Sequence, residues 1–308
     1  CFEIAYFSYT RPLANIKTTF MKNIIPFIIF CLFIYSCSSD NEVNEENNMI
    51  PTKLIESLSF DNETSIDSLF YDENKRLILK KEYLNIGQLD YSTHYEYNLE
   101  NNLIKTYRVH STSNIPAEEI NYNYYSDGNL KSRNYVGYNS SYTDNFEYES
   151  KSIIIKRNQN NDIRVNLDSN NKILSVEKKN ANNEFYKHKE YIYEGKNITE
   201  IKINENSQNV SYFFEYDNKN NPFTVFDHSL PNDLSIKKIE SIIINSNYPF
   251  ITIGDDDNYF GFLNINNVVS CSGNSSSNYN YSYDSENYPT KITYDFLFNQ
   301  SSLIITYK

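Results

Sequence analysis

From Pro51 onward one short pattern returns along the chain: aromatic residues alternating at a strand end, an acid or amide, an Asn or Gly three places later, then an apolar residue. Tyr95-Glu96-Tyr97-Asn98-Leu99-Glu100-Asn101-Asn102-Leu103 and Tyr281-Ser282-Tyr283-Asp284-Ser285-Glu286-Asn287-Tyr288-Pro289 are the clearest copies. Others run from Leu69-Phe70-Tyr71-Asp72 to Leu77, from Val165-Asn166-Leu167-Asp168 to Ile173 and from Phe214-Glu215-Tyr216-Asp217 to Pro222. Leu58-Ser59-Phe60-Asp61, Tyr122-Asn123-Tyr124-Tyr125 and Tyr191-Ile192-Tyr193-Glu194 are weaker, and Phe146-Glu147-Tyr148-Glu149, leading through Ser152 to Ile154, lacks the Asn or Gly.

Each position has a physical meaning. Residues i and i+2 of a strand share a face, so Tyr95 and Tyr97 place two rings on one side of a sheet. An Asp or Asn at the turn start accepts a hydrogen bond from the backbone two residues on, and Asn101, Gly128, Asn171, Asn197, Asn220 and Asn287 stand where a left-handed backbone closes the loop. The apolar residue then begins the returning strand, so each copy is a hairpin. Spacings of 27, 26 and 23 residues between the turn starts 98 and 125, 168 and 194, and 194 and 217 fit two strands plus two turns. The fold class expected is all-β: an antiparallel meander of repeated hairpins, forming a large twisted sheet or an open or closed barrel. Closure removes the exposed edges that a long meander otherwise leaves.

The rhythm breaks between about residues 227 and 277, which reads as an insertion. Asn232-Asp233 caps a short helix placing Leu234, Ile239, Ile242 and Ile243 on one face, although the run Ile242-Ile243-Ile244 is equally a strand. An apolar segment from Phe260 to Val269 follows, and 272–278 reads as a soft loop before the last hairpin.

The other informative stretch lies near the start. Lys22 precedes an apolar run from Ile24 to Tyr35, and Ser36 stands just before Cys37. This is the plan of an export signal beginning at Met21, with residues 1–20 as an upstream extension foreign to the fold. An apolar run of about ten to twelve residues falls short of the roughly 20 that a spanning helix needs. The segment resembles the signal of bacterial lipoproteins. Ile34, Ser36 and Cys37 fit that pattern, while bulky Tyr35 stands where a small residue is usual. The resemblance implies cleavage after residue 36 and acyl chains on Cys37, with 37–50 as an acidic, Asn-rich tether like that of surface-exported lipoproteins of the Bacteroidota, and 51–308 as the folded domain.

The cysteines agree with this division. Cys1 and Cys31 fall before the cleavage point and Cys37 is the acylation site, so Cys271 alone remains and no disulfide forms. The 272 residues from Cys37 to Lys308 must be stabilised by their core. Removing residues 1–36 leaves 25 basic against 39 acidic side chains, a formal charge of −14, which repels phosphate backbones and argues against nucleic acid as a partner.

Residues suited to chemistry are few. His94, His110, His188 and His228 have no neighbour at metal-ligand spacing, and His188 lies in a Lys-rich strand expected to face solvent. Asp255, Asp256 and Asp257 invite calcium through clustered carboxylates, yet lack the alternating ligands, central Gly and terminal Glu of a helix-loop-helix calcium loop, so a solvated turn fits better. No phosphate loop, nucleophile elbow or His-Glu-x-x-His pair occurs, and no cofactor is implied. The 29 tyrosines allow two accounts: strand residues that pack inward with the hydroxyl reaching water, or an aromatic platform for glycans, peptides or an envelope protein.

The repeat as a whole resembles the YD repeat of Rhs and wall-associated proteins, and more closely a set of Bacteroidota lipoproteins with a porin-like all-β domain. That resemblance implies a fold and carries no catalytic residue. The expectation is a non-catalytic envelope lipoprotein of the outer membrane, exposed at the surface or facing the periplasm, that acts as a structural or binding module. An envelope enzyme using carboxylates in a sheet cleft on polysaccharide or peptide is the alternative. Insertion of the strands into the membrane is disfavoured, because segments such as Lys80-Lys81-Glu82 and Lys187-His188-Lys189-Glu190 carry charge in runs.

Overall fold

The computed structural model describes residues 53–60, 65–84, 87–157, 162–180, 182–205, 208–223, 264–273, 276–296 and 299–308. These belong to one compact unit, Met49–Lys308. Cys37, the tether, the helix proposed over 232–243, His228 and Asp255 to Asp257 lie outside the described residues.

The strands are β1 (Ile55–Phe60), β2 (Ile66–Tyr71), β3 (Leu77–Leu84), β4 (Gln88–Tyr97), β5 (Leu103–His110), β6 (Pro116–Tyr124), β7 (Leu130–Gly137), β8 (Ser141–Glu149) and β9 (Ser152–Arg157). They continue as β10 (Ile163–Leu167), β11 (Ile173–Lys179), β12 (Phe185–Glu194), β13 (Asn197–Glu205), β14 (Gln208–Tyr216), β15 (Val268–Ser272), β16 (Ser277–Tyr283), β17 (Pro289–Phe296) and β18 (Asn299–Tyr307). Every strand pairs antiparallel with its neighbours in sequence, and β1 pairs with both β2 and β18, so the 18-stranded meander closes into a barrel without a free edge.

Connections at one end of the barrel carry the repeat; this is called the repeat end, and the opposite one the loop end. Asp72 shows how a repeat turn works. Its Oδ1 accepts from the backbone N–H of Asn74 and Arg76, both at 2.9 Å, while Lys75 N donates to Asp72 O and Asp72 N to Arg76 O. The fourth residue of the turn is left-handed, and a bulge follows in the ladder at Phe70/Tyr71. Asn98, Asp168 and Asp284 build the same turn, and Tyr125 its backbone frame.

Asn101, Gly128, Asn171 and Asn287 take the left-handed conformation as expected. Asn197 and Asn220 do not. A two-residue turn links β12 to β13, so Gly195 carries the positive φ and Asn197 already pairs with Glu194. Asn220 instead bonds the neighbouring turn, from its N to Asn287 O and its Nδ2 to Glu286 O. The Leu58-Ser59-Phe60-Asp61 match is out of phase, because β1 reaches its connection to β2 at the loop end.

The insertion is shorter than 227–277. β15 pairs with β14 through Phe214–Cys271 and Tyr216–Val268, and β16 begins at Ser277, so 268–272 and 277 onward rejoin the barrel. Amides clamp the two stems. Asn264 Oδ1 accepts from Ile198 N at 2.8 Å, Asn221 Nδ2 donates to Asn264 O, and Asn197 Oδ1 accepts from the N–H groups of Ile265 and Asn266. The Asp217 carboxylate takes Asn267 Nδ2 and the Tyr283 hydroxyl. Buried amides left unpaired would each cost about 1–3 kcal/mol, and these bonds tie the stems to each other and to β13.

Core residues point inward in layers. Leu77, Leu103, Leu130, Ile153, Ile173, Ile198 and Val268 start the returning strands, and Leu69, Tyr95, Tyr122, Phe146, Val165, Tyr191 and Phe214 stand beside them. Each fully buried aliphatic side chain contributes about 1.5–3 kcal/mol. Tyr95 and Tyr97 both belong to this inner surface. The outer face carries Lys81, Lys105, Glu119, Glu147, Lys156, Glu190 and Lys202, partly in cross-strand pairs such as Lys156 with Glu147.

Candidate functional site

Inward positions continue past the core toward the loop end, and from β4 to β9 their character changes. Counting back by twos from Tyr95 gives Thr93 and Tyr91; the ladders add Arg108 and His110 on β5, Glu118 on β6, Tyr135 and Gly137 on β7, Tyr142 and Asp144 on β8 and Arg157 on β9. The wall alternates rings with charged groups where the layer below is aliphatic.

Asp144 anchors it. This carboxylate is 0% exposed and is held by two guanidinium groups. Arg133 donates from Nε at 3.2 Å and Nη2 at 2.8 Å to Oδ2, and Arg157 from Nε at 2.7 Å to Oδ1 and from Nη2 at 2.9 Å to Oδ2. Arg133 is as buried as its partner, whereas Arg157 keeps 27% of its side chain exposed. Hydrogen bonding to Asp144 raises the Arg157 pKa against the opposing effect of burial. Charge-assisted pairs of this bidentate kind fix geometry as well as energy.

Rings stack on these cations. The Arg157 guanidinium lies 4.4 Å from the Tyr142 centroid, and Tyr142 stacks on Tyr135 at 4.9 Å and 17°. Burial raises the Tyr135 pKa, helped by Glu118 and Tyr142 and opposed by Ser140. On β4 and β5, Arg108 covers Tyr91 at 3.9 Å and pairs with Glu82, while His110 meets the same ring edge-on at 5.0 Å. Lys80, 3% exposed, ties Asp67 at 3.1 Å to Glu82 at 3.3 Å.

The tyrosines of the repeat do something different, which sequence reasoning missed. At the repeat end, Tyr97, Tyr124, Tyr148, Tyr193, Tyr216, Tyr281 and Tyr307 donate their hydroxyls to the carbonyls of Leu77, Leu103, Leu130, Ile173, Ile198, Val268 and Pro289, at 2.5–3.0 Å. Each ring thus reaches back to where the neighbouring hairpin's returning strand begins. The hydroxyl meets the backbone, not water, which corrects the first account of the tyrosine excess. Burial pushes these phenols well above their ordinary pKa, Tyr148 up to about 12. Tyr71 holds the same place, but its buried hydroxyl has no hydrogen-bond partner among the described residues. The 20- or 21-residue step from acceptor to tyrosine, in Leu77–Tyr97, Leu103–Tyr124 and Ile173–Tyr193, is the signal that sequence held.

The histidines are dispersed. His94 stacks on Tyr107 at 4.7 Å on the outer face; burial lowers its pKa, with Glu96 opposing. His188 does not face solvent: a bulge turns it and Lys189 inward, leaving it 1% exposed with Nδ1 3.2 Å from Asn204 O. Among the described residues no three His, Cys, Asp or Glu side chains converge as metal ligands. Burial raises the Cys271 thiol to about 11 and keeps it protonated.

No family model and no curated protein matches the chain. Among solved structures, a porin-like protein from Bacteroides uniformis is 13% identical, with 82% of this chain and 96% of that one covered and a TM-score of 0.44. A porin-like protein from Bacteroides vulgatus is 14% identical over 83% and 99%, with a TM-score of 0.39. The TcdB2-TccC3-Cdc42 structure is 10% identical over 79% of this chain and 12% of that one, with a TM-score of 0.30. Likenesses this loose carry no argument about function, which rests on the residues.

Proposed function

We propose that this chain is a non-catalytic binding module of the bacterial envelope, a lipid-tethered barrel whose ligand surface is the inner wall of β4 to β9 at the loop end. The observation that carries the reading is the Tyr135–Tyr142–Arg157 stack and its companion Arg108–Tyr91. These rings and cations are half-buried and lie apart from the layer in which the repeat-end tyrosines bond the backbone. Tyrosine and arginine are enriched where binding energy concentrates.

Support for the tether comes from Lys22 to Cys37, the apolar run before Ser36-Cys37 and the acidic segment to Asn48. Charges on the outer face favour anchoring by lipid over insertion, since a membrane barrel presents an apolar band about 25 Å tall. Several acyl chains hold a protein firmly where one is marginal. The module belongs to the outer membrane and is exposed at the cell surface, with a glycan, peptide or envelope protein as its partner and no role for nucleic acid. Labelled palmitate should enter the intact protein and not Cys37→Ala, and protease applied to whole cells should remove the barrel. A screen of surface glycans and peptides should yield a ligand whose binding weakens in Tyr135→Ala. A protein that takes up no label, or binds nothing in the screen, ends the proposal.

A further inference from the structure

The ion cluster around Lys80 joins a buried amine to two carboxylates. Leu69 points into the core and lies opposite Lys80 across the β2–β3 ladder, and Asp67 lies opposite Glu82, so alternation sets Asp67, Lys80 and Glu82 on the inner face. Lys80 is 3% exposed, and the side chains of Asp67 and Glu82 keep 14% and 19%. The amine Nζ lies 3.1 Å from Asp67 Oδ2 and 3.3 Å from Glu82 Oε1. Glu82 also pairs with Arg108, so the charges of the four groups sum to zero.

We infer that Lys80 and Asp67 condense into an amide that cross-links β2 to β3, with Glu82 relaying a proton. The Lys80 ammonium gives one proton to Glu82, and its nitrogen attacks Asp67 Cγ. An Nζ–Cγ bond forms and a Cγ–O bond breaks. The departing oxygen takes the proton held by Glu82 and a second from the nitrogen and leaves as water. One proton stays on the amide and Glu82 ends as it began, so no oxidant or other co-reactant is needed. In bulk water an ammonium and a carboxylate stay apart as ions because both are hydrated. Burial removes that hydration, and condensation turns two charges into one neutral amide while Glu82 keeps Arg108 as its counter-ion. Groups held at roughly 3–3.5 Å also react with the advantage of an intramolecular step. Lys156 and Glu147, both half-exposed, keep their hydration and stay an ion pair. The cross-link fixes β2 to β3 covalently, while β1 holds the other edge of β2 through three residue pairs.

The test is peptide mapping by mass spectrometry of the full-length protein after tryptic digestion. Trypsin cuts after Lys75 and Arg76 and passes an acylated Lys80, so the digest should contain 54–75 joined to 77–81, one water lighter than the two peptides together. Asp67→Asn should give the same joined species, formed now with loss of ammonia, an outcome that no ion pair produces. Lys80→Arg keeps the positive charge but has no amine to condense, and should give linear peptides alone. Glu82→Gln should cut the joined fraction at least tenfold, the worth of a positioned proton relay, with the circular dichroism spectrum unchanged. The peptides carrying Lys156 and Glu147 should be unlinked in every digest. Linear peptides alone from the folded wild-type protein overturn the inference, as does a joined fraction that Glu82→Gln leaves unchanged.

Discussion

The two ends of this barrel are built by different rules. At the repeat end, five connections share one five-residue length, and their Asp, Asn or Tyr openers, left-handed fourth residues and back-reaching tyrosines recur from hairpin to hairpin. At the loop end, connections run from two to five residues, and among the described residues only Asn180 to Glu184 repeats the turn, with Asn180 Oδ1 accepting from Asn182 N and Glu184 N. One end distributes closure over many small, equivalent bonds. The other concentrates polar interactions in a few unlike clusters, which leaves its side chains available for recognition.

The largest expected effect attacks the distributed end all at once. Tyr97, Tyr193, Tyr216, Tyr281 and Tyr307 all have folded-state pKa values raised by burial. A raised pKa contributes stability that is whole below the unfolded-state value near 10 and is lost as pH climbs toward the folded value. About one unit above the free phenol each deeply buried ring loses ~1.4 kcal/mol, or ~7 kcal/mol for the five. That is comparable with the total stability of a domain. Absorbance titration should therefore show the phenols ionising together with loss of β-structure by circular dichroism. Independent, gradual ionisation with the fold intact would break the claim that these hydroxyls are sequestered.

A single substitution should hurt most where bonds are concentrated. Asp144→Ala leaves Arg157 without a carboxylate among the described residues, and loss of one partner from a buried pair costs about 3–5 kcal/mol. Urea denaturation should place its midpoint far below that of any single repeat-end tyrosine variant. Equal shifts would mean that the two ends share one rule after all.

Within the repeat end the comparison sharpens further. Tyr124→Phe removes the hydroxyl bonded to Leu103 O at 2.6 Å and should cost about 0.5–1.5 kcal/mol. Tyr71→Phe deletes a buried hydroxyl that has no hydrogen-bond partner among the described residues, and it should be neutral or stabilising. The ring stays in place in both, so thermal melts of the pair isolate the bond from the packing.

How much of this was legible follows the same division. Tyr95-Glu96-Tyr97-Asn98 announced its hairpin because a period of two, a capping amide and a left-handed Asn act within a few residues. The partners of the tyrosines were hidden, since Tyr97 and Leu77 are brought together only by the ladder between β3 and β4. The inward turn of His188 and Lys189 was hidden for a related reason. A bulge shifts facing by one residue, and Lys187-His188-Lys189 read as a solvated strand by composition alone. Gly195 displaced Asn197 because a two-residue turn leaves no fourth position. The Arg133–Asp144–Arg157 cluster joins three strands and has no local signature, so nothing in the sequence marked the loop-end wall.

The smallest effect returns to a departure from the repeat. Lys75 holds the left-handed place at φ 62° that Asn101, Asn171 and Asn287 hold in sister turns. A side chain branching from such a backbone crowds the following carbonyl by about 1–2 kcal/mol, which Asn partly relieves by local hydrogen bonding. Lys75→Asn should therefore raise stability by about 0.5 kcal/mol, read as a small upward shift in melting temperature. At the loop end the same left-handed place is Asn183, and Asn183→Lys should lower stability by a similar amount. If both changes move stability in one direction, the turn residue is chosen by something other than backbone conformation, and the shared geometry of the two turns is coincidence.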